Sequence, residues 1–278
     1  MKRHRNQRRS RSLTKRADNA ALPFKLLERL GIPCGYERSF KMSRGKLLAN
    51  RYLLGISLQD TTSDDLFELC LRLKMPAPLF AQFQQNIPGA NLVFLGFEDD
   101  EGGASYRVYL EYWDKICAEI TAAPHETHPR LMFLGYKWNI KHPERQVLSE
   151  YICHPLLSTS EIIQRITQLY QPAKDRRVLE HVLDIIQRAS VQCADRSFIY
   201  LEVGEGNNPR RSFDLNMYKA SLSLHEIDQT LCRLQAYYEI QQQSFLKVKE
   251  LVGPKLLGHL SGGTNRQGED FLTFYYEN

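Results

Sequence analysis

Glu37-Arg-Ser-Phe-Lys-Met42, then the polar turn Ser43-Arg-Gly45, then Leu47-Leu-Ala-Asn-Arg-Tyr-Leu-Leu-Gly-Ile56: two strand-like runs face one another across a glycine that supplies a positive φ. The same arrangement recurs four more times along the chain. Asn91–Phe97 pairs with Ser105–Trp113 across Asp99 to Gly103, and Leu131–Asn139 pairs with Arg145–Cys153. Ser197–Val203 pairs with Ser212–Tyr218 around Gly206-Asn-Asn-Pro209, and Leu256–Ser261 pairs with Phe271–Glu277 through Gly262, Gly263 and Gly268. A turn therefore returns roughly every 40 to 65 residues, enough for one hairpin and a pair of helices. Sequential hairpins build a meander, and ten such strands can close into an antiparallel barrel without a bare edge.

Between the hairpins, apolar residues fall at helical spacing. Leu66, Leu69, Cys70 and Leu73 share one face after Ser63, and Pro76 interrupts that helix. Ile162, Ile163, Ile166, Leu169 and Tyr170 form a second stripe. Val178, Val182, Leu183, Ile185 and Ile186 form a third, separated from the second by Pro172. Leu224, Ile227, Leu231, Leu234 and Tyr238 form a fourth after Ser223. The expected class is α+β: a ten-stranded barrel with a solvent-filled lumen, its apolar outer face covered by helices.

Composition and charge set the class of protein. At 278 residues, 42% hydrophobic and 25% charged, the chain suits one large or two modest soluble domains, with no apolar run long enough to span a membrane. The basic start lacks the hydrophobic region of a secretory signal. Cys34, Cys70, Cys117, Cys153, Cys193 and Cys232 are scattered without metal-ligand spacing, which suits reduced thiols in the cytoplasm. Residues 1–16 carry eight Lys or Arg and no acid; the remaining 29 bases (37 less those 8) face 32 acids, so the body is slightly acidic. The sequence divides into a basic, disordered arm over 1–19 and one barrel domain over 20–278. The arm lacks interleaved aromatic residues, and neither nucleic acid nor membrane is expected as a partner.

Strand alternation selects the side chains that would line the lumen. On the strand 105–113, Tyr106, Val108, Leu110 and Tyr112 oppose Ser105, Arg107, Tyr109, Glu111 and Trp113. Phe213, Leu215 and Met217 oppose Ser212, Asp214, Asn216 and Tyr218; Leu272, Phe274 and Tyr276 oppose Thr273, Tyr275 and Glu277. With the apolar faces against helices, the lumen gathers Glu37, Lys41, Arg51, Arg107 and Lys137 with Tyr109, Tyr200, Tyr218 and Tyr275. Four cations on separate strands need an anion or water between them, and a diphosphate suits bidentate arginine. Tyrosine faces beside it suit an allylic cation, at about 0.5 to 2 kcal/mol per contact. The alternative is that the faces of one or two strands are inverted and their charges meet solvent.

The stretch Cys34-Gly-Tyr-Glu37-Arg-Ser39-Phe-Lys41-Met-Ser-Arg-Gly-Lys46-Leu47-Leu-Ala49-Asn-Arg51-Tyr-Leu-Leu54 resembles the first strand pair of the cyanobactin-type peptide prenyltransferases, ABBA enzymes named for repeated αββα units. Ser105-Tyr-Arg107-Val-Tyr109 is similar to that family's Ser-apolar-Lys-apolar-His strand, with Arg and Tyr substituted. The order of hairpins extends the resemblance over most of 20–278. It implies transfer of a dimethylallyl or longer group from its diphosphate to a ribosomal peptide side chain, with Mg²⁺ accompanying the diphosphate. By the same resemblance Glu37 takes the place of the acid that orients or deprotonates the acceptor, and Lys41, Arg51 and Arg107 take diphosphate-binding positions. Lys137 joins that cradle, and the four tyrosines form the cation shield, by lumen parity.

Glu111, Glu202 and Asp214 would suit a cationic acceptor such as arginine, or serve as counter-ions to Arg107 and Lys137. Two other functions compete: an ABBA enzyme acting on a small aromatic metabolite, and a non-enzymatic barrel binding nucleic acid through the basic arm. Phe133 and Trp113 are the bulky residues placed to shorten a prenyl pocket. Asp64 and Asp65 read as ordinary first-turn acids of a helix, Gly262-Gly263 as a turn, and His125 and His128 as loop residues rather than metal ligands.

Overall fold

The computed structural model describes residues 17–100, 103–171, 175–206 and 208–277. The basic segment 1–16 lies outside them, as do the expected turn residues Glu101, Gly102 and Asn207 and the helix-breaking Pro172. Residues 17–19, assigned to the arm by their charge neighbours, instead belong to a helix α1 over 17–30. The Tyr106 hydroxyl donates to the Asn19 carbonyl at 2.9 Å and the Tyr52 hydroxyl to that of Ala20 at 2.6 Å.

Ten strands form a closed antiparallel barrel: β1 Gly35–Ser43, β2 Lys46–Ser57, β3 Leu92–Asp100, β4 Gly103–Glu111, β5 Arg130–Asn139, β6 Gln146–His154, β7 Ile199–Gly204, β8 Arg211–Asn216, β9 Leu257–Thr264 and β10 Asp270–Glu277. Each strand lies beside its sequence neighbours, and β1 meets β10 to complete the ring. Register fixes which side chains share a level: Lys41 stands opposite Thr273, Thr273 opposite Ser261, and Ser261 opposite Asp214. Gly262 and Gly263, expected in the turn, lie inside β9, and the turn falls at Asn265 to Gly268. Gly263 has φ +133°, and a Cβ there would collide with the Arg211 carbonyl and Ser212, so this close strand crossing requires glycine.

Helices occupy the intervals: α2 Ser63–Arg72, α3 Ala77–Asn86, α4 Trp113–Ala122, α5 Thr159–Leu169, α6 Arg177–Ser190, α7 Asp228–Tyr237 and α8 Gln242–Val252. Thr62, not Ser63, caps α2, accepting from the Asp65 amide while Asp65 reaches back to the Thr62 amide. Ser158 and Glu161 repeat this reciprocal cap on α5. Trp113 opens α4 rather than extending β4, Tyr218 lies in a 3₁₀ turn Tyr218–Ala220 beyond β8, and Leu224 and Ile227 precede α7.

The described residues form two compact units, one comprising 17–36, Asn50–Lys115 and Gly135–Leu148, the other Glu37–Ala49, Ile116–Leu134 and the described residues from Ser149. In the first unit, Leu66, Leu69, Leu73 and Phe83 bury themselves with Tyr136 and Trp138, the Trp138 indole donating to the Leu73 carbonyl at 3.0 Å. In the second, Ile162, Ile166, Val182, Ile185 and Ile186 of α5 and α6 pack with Phe40, Phe213, Leu260 and Phe274 of the strands. Helix stripes and the apolar strand faces thus form one interior in each unit. Ile185→Ala, at a fully buried position, should lower unfolding free energy by about 2–5 kcal/mol in a denaturant titration, whereas Val191→Ala, at 80% exposure, should leave it within about 0.5 kcal/mol.

Candidate functional site

In the first unit, alternation along β3 turns Val93, Leu95 and Phe97 into the apolar core and puts Glu98 on the other face. Register sets Glu98 directly opposite Arg51 of β2 and Gly96 opposite Arg107 of β4. Three cations converge on that one carboxylate: Arg51 Nε and Arg107 Nη2 each lie 2.8 Å from Oε2, and Lys137 Nζ lies 2.9 Å from Oε1. The Arg51 and Glu98 side chains are each 5% exposed, Arg107 16% and Lys137 30%, so the cluster meets solvent through Lys137 and Arg107. Gly96 leaves room for this, because a Cβ there would press on Arg107 Cβ at 3.1 Å. Tyr109 shares the Arg107 face, its hydroxyl 3.5 Å from Arg107 Nη1. Glu98 itself escaped the sequence reading, although an acid at this phase of an apolar strand was the available signal.

The second unit carries a polar row on β1, β8, β9 and β10. Tyr218 donates to Glu37 Oε1 at 2.5 Å, and His259 Nδ1 lies 2.8 Å from Asp214 Oδ1. The His259 ring meets Tyr218 and Tyr275 nearly edge-on, at centroid distances of 5.4 and 5.8 Å. Burial raises the Glu37 carboxyl above its ordinary range against the opposing pull of His259 and the Tyr218 hydroxyl. Burial, then Glu37, raises the Tyr218 phenol. His259 was not singled out from sequence, because a lone histidine in a glycine-flanked run carries no local signal. A Cβ at Gly258 would collide with the Tyr218 ring, so that glycine admits the tyrosine to Glu37.

Other expected site residues lie elsewhere. Tyr200 belongs to the helix-packed core, and Glu202, on the same face of β7, pairs with Arg165 of α5 at 2.7 Å. These two correct the parity assignment: Leu201 and Val203, not the charged residue, take the opposite face of β7, and the half-buried Glu202 is paired by Arg165 of α5 and by His154 at the end of β6. Tyr218 reaches Glu37 from its 3₁₀ turn, not from a strand. Glu111, buried at the end of β4, accepts from Asn91 Nδ2 at 2.9 Å. Lys41 Nζ sits 4.2 Å from the Phe271 ring centroid, with the Arg210 guanidinium over the same ring. Arg210 and Arg266 both grip Glu205, whose side chain is 1% exposed, with Ser149 and Asn208 completing its hydrogen bonds. Among the described residues no three His, Cys, Asp or Glu side chains converge as a metal site. Asp65 is committed to its cap, and His125 and His128 occupy the loop between α4 and β5.

No protein-family model matches the chain, and no curated protein matches its sequence. Solved structures do match. AnaPT from Neosartorya fischeri superposes with a TM-score of 0.54 at 13% identity, over 87% of this chain and 78% of that one. The prenyltransferase PriB, in a ternary complex with L-tryptophan and dimethylallyl thiolodiphosphate, gives 0.54 at 13%, over 87% and 79%. The 6-dimethylallyltryptophan synthase from Micromonospora olivasterospora, in complex with DMASPP and Trp, gives 0.53 at 10%, over 87% and 81%. The fold of this chain is therefore the ABBA prenyltransferase barrel.

Gly258→Ala should expel Tyr218 from Glu37 and cost about 1–3 kcal/mol of stability in denaturant titration. Burial raises the Glu205 carboxyl, but Arg266 and Arg210 outweigh it and hold the group down at about 2. A carboxyl lowered on folding stabilises the fold above its unfolded pKa, about 4.3, and that contribution disappears as pH falls through about 2. Melting temperature should accordingly drop over that window, and Glu205→Gln should flatten the drop.

Proposed function

We propose that this chain transfers a dimethylallyl group from its diphosphate to a nucleophilic acceptor, and that the acceptor is a small aromatic molecule. The observation that carries the reading is the convergence of Arg51, Arg107 and Lys137 on one side of adjacent strands in a barrel of this fold. PriB and the 6-dimethylallyltryptophan synthase, which share that fold, are solved in complexes with tryptophan and, respectively, dimethylallyl thiolodiphosphate and DMASPP.

The reaction needs the allylic carbon–oxygen bond to break with its electron pair leaving on the diphosphate. Guanidinium and ammonium donors stabilise the charge growing there, while ring faces stabilise the allylic cation. Arg51, Arg107 and Lys137 take the first role, and the ring face of Tyr109, beside Arg107, takes the second. Glu37, with its carboxyl raised by burial and hydrogen-bonded to Tyr218, takes the acceptor's proton as the new carbon bond forms. Lys41, seated on Phe271, belongs to the diphosphate set through its family position. Mg²⁺ would accompany the diphosphate substrate as its counter-ion.

A second reading has its own support. The stretch Cys34 to Leu54 resembles peptide-modifying members of the fold, which makes a peptide side chain the alternative acceptor. Of the three acids suited to an arginine acceptor, Asp214 pairs with His259, Glu202 with Arg165 and Glu111 with Asn91, so an arginine would have to exchange with one of these partners.

Calorimetric titration with dimethylallyl thiolodiphosphate and Mg²⁺ should show micromolar binding that weakens at least tenfold in Arg107→Ala, a loss of about 1.4 kcal/mol or more. Absence of heat for the wild-type protein would sink the reading. With dimethylallyl diphosphate supplied, mass spectrometry of parallel reactions with tryptophan, a tryptophan dipeptide and an arginine-containing peptide should find product on the aromatic acceptors; product on the peptide alone would reverse the choice.

A further inference from the structure

Glu98 poses a chemical question that a diphosphate cradle alone does not answer. A carboxylate among three cations occupies the very donors an incoming anion would need. We propose that Glu98 is the resident counter-ion of this anion site: it holds Arg51, Arg107 and Lys137 in alignment before substrate arrives, and the substrate's diphosphate competes with it for them. The inference rests on the proposed function for the identity of the anion, but not for the competition itself.

Three observations carry it. Both carboxylate oxygens are engaged from separate strands, Oε2 by two arginines and Oε1 by the lysine, so one group is shared by all three cations. Burial is graded along the cluster, from 5% exposure at Arg51 and Glu98 to 16% at Arg107 and 30% at Lys137. The outer two cations are thus accessible to an anion while the inner pair is held by the strands. A carboxylate has a single negative charge shared by two oxygens, whereas a diphosphate has several charges and more oxygens, enough to engage the outer cations bidentately. Exchange therefore begins at Lys137, moves to Arg107, and leaves Arg51 paired with Glu98. A buried acid kept for alignment also explains why this level of the barrel does not carry an apolar side chain, which would stabilise the fold as well as an ion pair does.

The test uses inorganic diphosphate and dimethylallyl thiolodiphosphate as separate probes in calorimetric titrations of the full-length wild type, Glu98→Gln and Lys137→Gln, with thermal melts alongside. Removing the competitor should tighten inorganic diphosphate binding in Glu98→Gln by about tenfold, and Lys137→Gln should weaken it by about the same factor. Glu98→Gln should melt lower than wild type without ligand and gain more from added diphosphate. Unchanged or weaker binding in Glu98→Gln, or no binding of inorganic diphosphate to either protein, would overturn the assignment. If Glu98→Gln unfolds in isolation, refolding in diphosphate should recover it, and failure to do so would count equally against the proposal. The two probes separate the claims: an allylic analogue that binds no better than inorganic diphosphate removes the prenyl reading and leaves Glu98 standing, while tight analogue binding indifferent to Glu98→Gln does the reverse.

Discussion

A closed ring gives each strand a hydrogen-bonded neighbour on both sides, and that closure is the constraint on which the molecule rests. Because β1 pairs with β10, no strand has an edge to protect, and each can devote one face to an apolar layer and the other to charge. The helices make this workable. Their stripes of isoleucine, leucine and valine bury the outer faces of the strands, so stability comes from that layer rather than from the interior of the ring. An open sheet with the same charges on one face would leave its terminal strands unpaired.

Charge on the other face is managed locally and in the same manner twice. Glu98 collects two arginines and a lysine in one unit, and Glu205 collects two arginines in the other. Buried ion pairs of this kind are poor sources of net stability, because desolvation consumes most of the Coulombic gain. Their value is geometric: the first fixes long, flexible side chains on three separate strands, and the second ties the ends of β7 and β8 to the turn after β9. Polar residues that contribute little to folding are therefore the ones with most bearing on chemistry.

The hairpins were legible because the period of two is local and survives in a single strand, and five polar turns marked where it reversed. Arg51, Arg107 and Lys137 were legible for the same reason: parity places them together once the apolar face is assigned. Tyr200 and Glu202 were misassigned because their strand is short and its acid is satisfied by Arg165 from a helix, a partner that no strand pattern can reveal. Tyr218 reads as the end of a strand because nothing local says that β8 ends at Asn216 and a 3₁₀ turn begins. Glu98 and His259 depend on cross-strand register, which is fixed only when sequence-distant strands meet. Helix α3, between Pro76 and Ile87, carries too weak a stripe to stand out.

The hydroxyls of Tyr52 and Tyr106 end on the carbonyls of Ala20 and Asn19, and Phe24 packs against Tyr36 and Tyr52 at centroid distances of 5.5 and 4.8 Å. The first helix is consequently stitched to the strands at its opening turn, not merely laid over them. This sets a boundary on processing. A protease could trim the arginine-rich segment up to residue 16 without disturbing a single one of these contacts, but a cut four residues later would strand two phenols inside the wall.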